Sequence, residues 1–235
     1  MATQASSLAD GSRVKIQIGT TEYLVDTKKI PYFKSFLSFQ QNSGQSRTSV
    51  PGHSDIPFFE IINYGMSNGF RQFFRRMPTQ LSDYHTLCDQ LEFLNVDVLE
   101  GRKLHGIMSD LRQSKDYCDE YGEELSGLKS IARDSAFRVL YMFLLANFES
   151  EVKDSNMAYN LTLFIVSHPS IFKCRTRKMV REAFEERFVV TEKQQKSFNK
   201  WSIGDPDEWE ESDATTEEDD IYSDYDSDFC SGWSS

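Results

Sequence analysis

The C-terminal stretch limits how much of this chain can fold. From Asp205 to Asp228 there are 13 acidic residues, and no Lys or Arg follows residue 204. Like charges at that density repel, and the apolar residues between them are too sparse to build a core. Residues 1–204 carry all 26 Lys and Arg against 24 Asp and Glu. The net charge of −11 therefore belongs to the tail, and the body stands near neutrality at +2. The chain is 39% hydrophobic and 13% aromatic, which supplies material for a core and excludes wholesale disorder. The size of the body suits one domain, or a small domain with a helical extension.

Compartment follows from what the ends and the cysteines carry. Met1 to Ser12 holds no Lys or Arg and no apolar run of signal-peptide length. Ser155 to Phe172 is the longest uncharged stretch, but Asn156, Asn160, Ser167, His168 and Pro169 interrupt it. It reads as a buried helix and not as a membrane span. Cys88, Cys118, Cys174 and Cys230 are scattered without a CxxC pair and are expected as reduced thiols. The expectation is an intracellular protein, in cytoplasm or nucleus, with no membrane partner.

Along the chain, residues 1–12 read as a flexible start. Val14, Ile16 and Ile18 then alternate with Lys15 and Gln17, the period of a half-buried strand. Gly19-Thr20-Thr21 is a turn signal, and Tyr23-Leu24-Val25 can return as the hairpin partner. Pro31 opens a short apolar helix through Tyr32, Phe33, Phe36 and Leu37. Residues 40–52 read as a loop, with a short strand at Thr48-Ser49-Val50. Ser54-Asp55 offers N-cap oxygens for a helix holding Phe58, Phe59, Ile61, Ile62 and Tyr64, which Gly65 is expected to end. Ser82 is a cap candidate for the next helix, where Tyr84, Leu87, Cys88, Leu91 and Leu94 recur at helical spacing and Asn95-Val96-Asp97 closes the run. Residues 111–130 are polar, with Gly122 and Gly127, and are expected to link this part to a helical region. There Phe137 to Phe148, Leu161 to Val166 and Phe172 to Phe188 mark three helices, the third with a basic face.

The order of these elements over 13–99 resembles the BTB/POZ domain. Val14-Lys15-Ile16-Gln17-Ile18-Gly19, Glu22-Tyr23-Leu24-Val25-Asp26 and Ile30-Pro31-Tyr32-Phe33-Lys34-Ser35-Phe36 are similar to that family's opening hairpin and first helix. Phe59-Glu60-Ile61-Ile62-Asn63-Tyr64-Gly65 is similar to its central helix. Leu91-Glu92-Phe93-Leu94-Asn95-Val96 is similar to the end of its closing helix. The whole chain resembles fungal BTB-like proteins that join this module to a helical part and an acidic end. The resemblance implies a non-enzymatic protein–protein interaction or scaffold protein, associating with itself or with another BTB-like protein. It also makes Tyr32, Phe33 and Phe36 interface candidates, the alternative being that they are core. A substrate adaptor for a cullin-type ubiquitin ligase is the second reading. Such adaptors often carry an apolar-x-Glu motif after the first helix, and no Glu lies between Tyr32 and Val50. Asp26 also stands where the family often has His.

Chemistry-bearing motifs are absent. No Gly-rich phosphate loop, GxSxG, HExxH or dinucleotide fingerprint occurs, and His53, His85, His105 and His168 lie in no recognisable acid–base context. His85 and Cys88 are three apart on a helix, but no second pair at ligand spacing completes a zinc site. No enzyme activity, cofactor or metal is expected.

Lys173, Arg175, Arg177, Lys178 and Arg181 form the candidate basic face, within a stretch of nine Lys and Arg against four Glu over 173–200. The favoured reading is a solvated face with Lys178–Glu182 and Arg181–Glu185 pairs. The others are contact with the acidic tail, and binding of nucleic acid or a basic protein by this face or by the tail. In the tail, Thr215, Thr216 and Ser223 each have an acid three residues on, the pattern of an acid-directed kinase site.

The expected architecture is α+β. A flexible start (1–12) leads into a BTB/POZ-like domain (13–105) built of a small sheet with helices. A linker (106–130), a helical region (131–200) and a disordered acidic tail (201–235) follow.

Overall fold

The computed structural model describes residues 12–42, 50–121, 126–145 and 154–201. It is mixed α and β and mostly helical, with one three-stranded sheet and nine helices among the described residues. Strand β1 (Arg13–Ile18) and strand β2 (Thr21–Asp26) pair antiparallel, with Ile16 opposite Tyr23 and Val14 opposite Val25. The alternation sends Ile16, Ile18 and Val25 into the core and leaves Lys15 and Leu24 outside.

Helix α1 (Tyr32–Asn42) follows, and strand β3 (Gly52–His53) then lies parallel beside β1, giving the order β2-β1-β3. Of the strand expected at Thr48-Ser49-Val50, Thr48 and Ser49 lie outside the described residues, and Val50 just precedes β3. Gln17 donates its N–H to the Pro51 carbonyl at 2.9 Å and Gly19 to the His53 carbonyl at 3.0 Å. These bonds set the register opposite Gly52 and His53.

Helix α2 (Phe59–Asn68) starts and ends later than Ser54-Asp55 and Gly65 indicated. Phe58, at φ 57°, occupies the N-cap with no side-chain cap bond. Gly65 is buried inside the helix because helix α3 (Arg71–Arg76) crosses it there, with the Phe73 ring against the Gly65 backbone. A Cβ at position 65 would overlap that ring, which is itself fully buried and cannot yield. Gly65→Ala is expected to destabilise the chain by about 1–3 kcal/mol despite the better helix propensity of Ala, read as a lower urea midpoint.

Helix α4 (Leu81–Phe93) begins one residue before Ser82, with Gln80 at the N-cap. Its end is a Schellman motif. Asn95 takes φ 56°, the Val96 N–H reaches the Leu91 carbonyl at 3.0 Å, and the Asn95 N–H reaches the Glu92 carbonyl at 2.9 Å. Asn tolerates this left-handed position, and the buried Leu91 and Val96 supply the apolar contact that accompanies such ends. The Tyr32 N–H bonds the Leu94 carbonyl at 3.3 Å, tying the start of α1 to the end of α4.

The stretch 106–130, expected as a linker, is helical wherever it is described, and residues 122–125 lie outside the described residues. Helix α5 (Leu104–Tyr121) and helix α6 (Ser126–Leu144) occupy nearly all of it. Leu104, Ile107, Met108 and Leu111 are spaced as one helical stripe and all are buried, so a polar surface on this segment hid an amphipathic helix. α6 packs against α3, α4, α5 and the later helix α8 (Cys174–Arg187), so the helical region and the sheet module share one core that runs from Ile16 to Phe198.

Helix α7 (Ser155–Ser167) is capped by Asp154, whose carboxylate accepts from the Asn156 and Met157 N–H groups, both at 3.0 Å. Helix α8 (Cys174–Arg187) and helix α9 (Glu192–Phe198) complete the body. α9 was not foreseen, although Thr191 and Gln194 form a reciprocal capping box at its start. No described helix is long and apolar enough to cross a membrane.

Candidate functional site

The most prominent exposed apolar feature is aromatic and centres on α1. Tyr32, Phe36 and Phe39 stand at i, i+4 and i+7, so they share one helical face. Phe39 is 74% exposed, and Phe93 at the end of α4 is 50% exposed. The Tyr32 ring lies 4.8 Å from that of Phe93 and stacks at 6.2 Å on Phe36, which meets His53 of β3 edge-on at 5.2 Å. His53 Nδ1 is 2.8 Å from the Ser54 carbonyl, which requires the proton on Nδ1. Its Nε2 then accepts from the Tyr32 hydroxyl at 2.8 Å. The tyrosine ring is thus held in place by a bond at its hydroxyl and by packing against Phe36 and Phe93.

Of the three residues first named as interface, only Tyr32 and Phe36 reach the surface, each half-buried. Phe33 is fully buried and packs edge-on against Phe59 at 5.6 Å. It belongs to the core because it falls on the neighbouring face, with Leu37 four residues on. Sequence reasoning missed Phe39 and Phe93. The i+7 spacing from Tyr32 could have found the first. Phe93 could have been found because it falls off the buried stripe of Leu87, Leu91 and Leu94.

The five basic residues of α8 do not share one face. Arg177 is 4% exposed, buried with Thr176, Met179 and Val180, so it leaves the proposed surface. Arg175 reaches across to α3, where its Nη1 donates to the carbonyls of Phe74, Arg75 and Met77 at 3.0, 2.9 and 3.3 Å. Lys178 lies 3.7 Å from Glu182, and Arg181 Nε donates to Glu185 at 2.7 Å. Arg181 also donates to Asn199 Oδ1 at 2.9 Å, and its guanidinium sits 5.5 Å from the Phe198 ring centre. Lys173 lies at the N-cap of the helix.

A pattern emerges from the other arginines. Arg187 donates to the Phe143 and Leu145 carbonyls at 3.0 Å each, Arg133 to the Ile171 carbonyl at 2.8 Å, and Arg138 to the Val98 carbonyl at 3.0 Å. Helix ends expose carbonyls with no partner in their own helix, and a guanidinium supplies several donors in one plane. These side chains are clamps between elements.

Arg138 lies under Glu100 at 2.9 Å and against the Phe70 ring at 5.0 Å. Burial pulls its affinity for the proton down, and Glu100 opposes that shift. One turn earlier on α6, Asp134 accepts the Arg71 backbone N–H at 2.7 Å. Burial raises its carboxyl above the usual range and Arg71 works against the rise. Both line a groove of about 380 Å³ with Lys28, Lys29, Gly69 and Glu100, where the opposite charges largely offset one another.

His85 and Cys88 do not form a pair. Cys88 is fully buried, and desolvation pushes its thiol well up, away from a reactive thiolate. His85 Nε2 instead lies 2.8 Å from Glu186 of α8. Among the described residues no three metal-ligating side chains come together. Thr215, Thr216, Ser223 and the rest of 202–235 lie outside the described residues.

No family model, no curated protein and no solved structure matches this chain.

Proposed function

We propose that this chain is a non-enzymatic interaction or scaffold protein with a BTB/POZ-like N-terminal module, and that it pairs with a second copy of itself through the aromatic face of α1. The observation that carries the reading is the packed group of Tyr32, Phe36 and Phe93, with Phe39 at helical spacing on the same face of α1 and both Phe39 and Phe93 at least half exposed. Aromatic side chains of this kind supply large, rigid contact area at small entropic cost and are enriched in protein interfaces. Support for the module comes from element order: hairpin, helix, third strand, central helix and closing helix follow one another as the resemblance implies. Ile16 and Ile18 of the hairpin lie in one core with Leu91, Leu94 and Val96 of the closing end. The cullin adaptor reading gains no support, since α1 and the loop after it carry no Glu. The nucleic-acid reading loses ground because Arg175, Arg177 and Arg181 are turned to internal partners or buried.

Light scattering on the full chain tests the proposal. The wild type is expected to weigh as a dimer, and Phe39→Ser with Phe93→Ser as a monomer with unchanged helix content. Burying each phenylalanine is worth about 1.5–3 kcal/mol, so the double change is expected to weaken association by at least two orders of magnitude. A monomeric wild type at high concentration would overturn self-association through this face.

A further inference from the structure

We propose that His53 is the positioning residue of the aromatic face of α1, and that pairing of two copies through this face, which rests on the function proposed above, is released by protons. His53 comes from β3 and lies among the rings of that face. Its ring centre is 5.6 Å from that of Tyr32, 6.1 Å from Phe33 and 5.2 Å from Phe36, edge-on in each case. Both ring nitrogens are engaged. Nδ1–H donates to the Ser54 carbonyl and Nε2 accepts from the Tyr32 hydroxyl, each at 2.8 Å.

The backbone under this imidazole is fixed. The Gly19 N–H reaches the His53 carbonyl at 3.0 Å, the Gln17 N–H reaches the Pro51 carbonyl at 2.9 Å, and the Gln40 side chain donates to the Gly52 carbonyl at 3.4 Å. The sheet therefore holds His53, and His53 holds the Tyr32 hydroxyl. Tyr32 in turn packs against Phe93 at 4.8 Å and Phe36 at 6.2 Å. Rings fixed before contact lose less side-chain entropy when a second copy covers them, so an ordered face pairs more tightly than a loose one.

Histidine is also the side chain that ordinarily changes charge between about pH 5 and 8. A second proton on His53 goes to Nε2 and turns that nitrogen into a donor. The Tyr32 oxygen then accepts, and the hydroxyl hydrogen has to turn to a new acceptor. On the free chain water fills that role and hydrates the cation. A second copy over the face excludes the water, leaving a buried hydroxyl hydrogen and a desolvated charge. The charged residues around His53 are not placed to offset this. Asp55, two residues along, has its carboxylate against Gly19 of the hairpin turn. Lys34 on α1 and Glu92 beside Phe93 are exposed, and β1 sets uncharged Gln17 and Ile18 opposite β3. The free chain thus binds the proton more tightly than the pair does. By linkage, association is complete above the pH at which the free chain takes up this proton and is lost as pH falls through it.

Light scattering over a concentration series of the full chain, at about pH 7.5 and about pH 6.0 in about 0.15 M salt, tests this. The dissociation constant of the wild type is expected to rise about tenfold between the two. His53→Gln keeps an acceptor for the Tyr32 hydroxyl and does not titrate. It is expected to pair within about threefold of the wild type at the higher pH and to change less than about twofold at the lower. His53→Ala removes the acceptor and is expected to pair about tenfold more weakly at both. Far-UV circular dichroism checks that both variants keep their helices. His85, His105, His168 and the acidic tail are the same in wild type and variants, so the difference between the profiles belongs to His53. A wild type that pairs equally at both pH values, or more tightly at the lower, would overturn the proposal and leave pairing through α1 standing. So would a His53→Gln profile that follows the wild type, or His53→Ala pairing as tightly as the wild type. A wild type that stays monomeric at both pH values would remove the pairing itself, and this proposal with it.

Discussion

Phe137→Ala is expected to cost about 3–5 kcal/mol, the range for removing a wholly buried ring that leaves a cavity. Phe137 is 0% exposed, and its ring centre lies 4.7 Å from Phe73, 5.8 Å from Phe74 and 5.9 Å from Phe70. It is the point where α6 enters the aromatic group of α3, and so where the helical part meets the sheet module. Three rings lose a neighbour at once and none has room to close the gap, because each is buried on its other side. Urea unfolding followed by circular dichroism is expected to show one transition, shifted as a whole to lower denaturant. Phe137→Leu keeps most of the volume and is expected to cost less than about 1.5 kcal/mol. Two separate transitions, with only one of them moved, would show that the halves do not share the core described above.

Arg175→Met is expected to cost about 1.5–3 kcal/mol, the worth of hydrogen bonds made by a charged donor to acceptors that cannot otherwise be satisfied. The substitution keeps the apolar stem but removes the donor to the carbonyls of Phe74, Arg75 and Met77. These groups end α3, a helix of only six residues, so its last turn depends on help from outside. Arg175→Lys is expected to recover only part of the loss, because an ammonium lacks the planar set of donors. The checks are thermal unfolding for the total effect and hydrogen exchange at Phe73 to Met77, where protection is expected to fall first. Equal loss of protection across the whole chain would show that Arg175 acts through general packing and not through the end of α3.

How much was legible in the sequence depended on where the deciding interactions lie. The β1–β2 hairpin could be read because the alternation of Val14, Ile16 and Ile18 is itself the cause of the half-buried strand. α7 and α8 could be read because their apolar spacing is local. The Schellman end of α4 was written in Asn95 and Val96, next to each other in the chain. The start of α2 could not be read in this way. Ser54 and Asp55 have the right chemistry for a cap, but Phe58 adopts the left-handed backbone and the helix waits until Phe59. Gly65 looked like a terminator and serves as a crossing point, a role defined by Phe73 from another helix. α5 was hidden because a helix with one buried stripe and three wet sides has the average composition of a linker.

The candidate surfaces divide along the same line. That an aromatic group sits at the start of α1 is plain from residues 32–39. Which rings point out is decided by Phe59, Phe93 and His53, which come from three other elements. That α8 is basic is plain from its composition. That Arg177 is buried and Arg175 clamps α3 depends on how α3 and α6 pack against α8.

The chain on its own determined the local periodicities, the caps with adjacent partners and the separation of a near-neutral body from a tail of acids, because these follow from neighbouring side chains and from charge that solvent cannot neutralise. Only the tertiary structure decided that residues 13–105 and 131–200 share a core, which aromatic rings stay in water, and which arginines bind carbonyls. Burial and hydrogen bonding between distant segments are properties of the packed arrangement, and no spacing along the chain encodes which of several similar faces will meet.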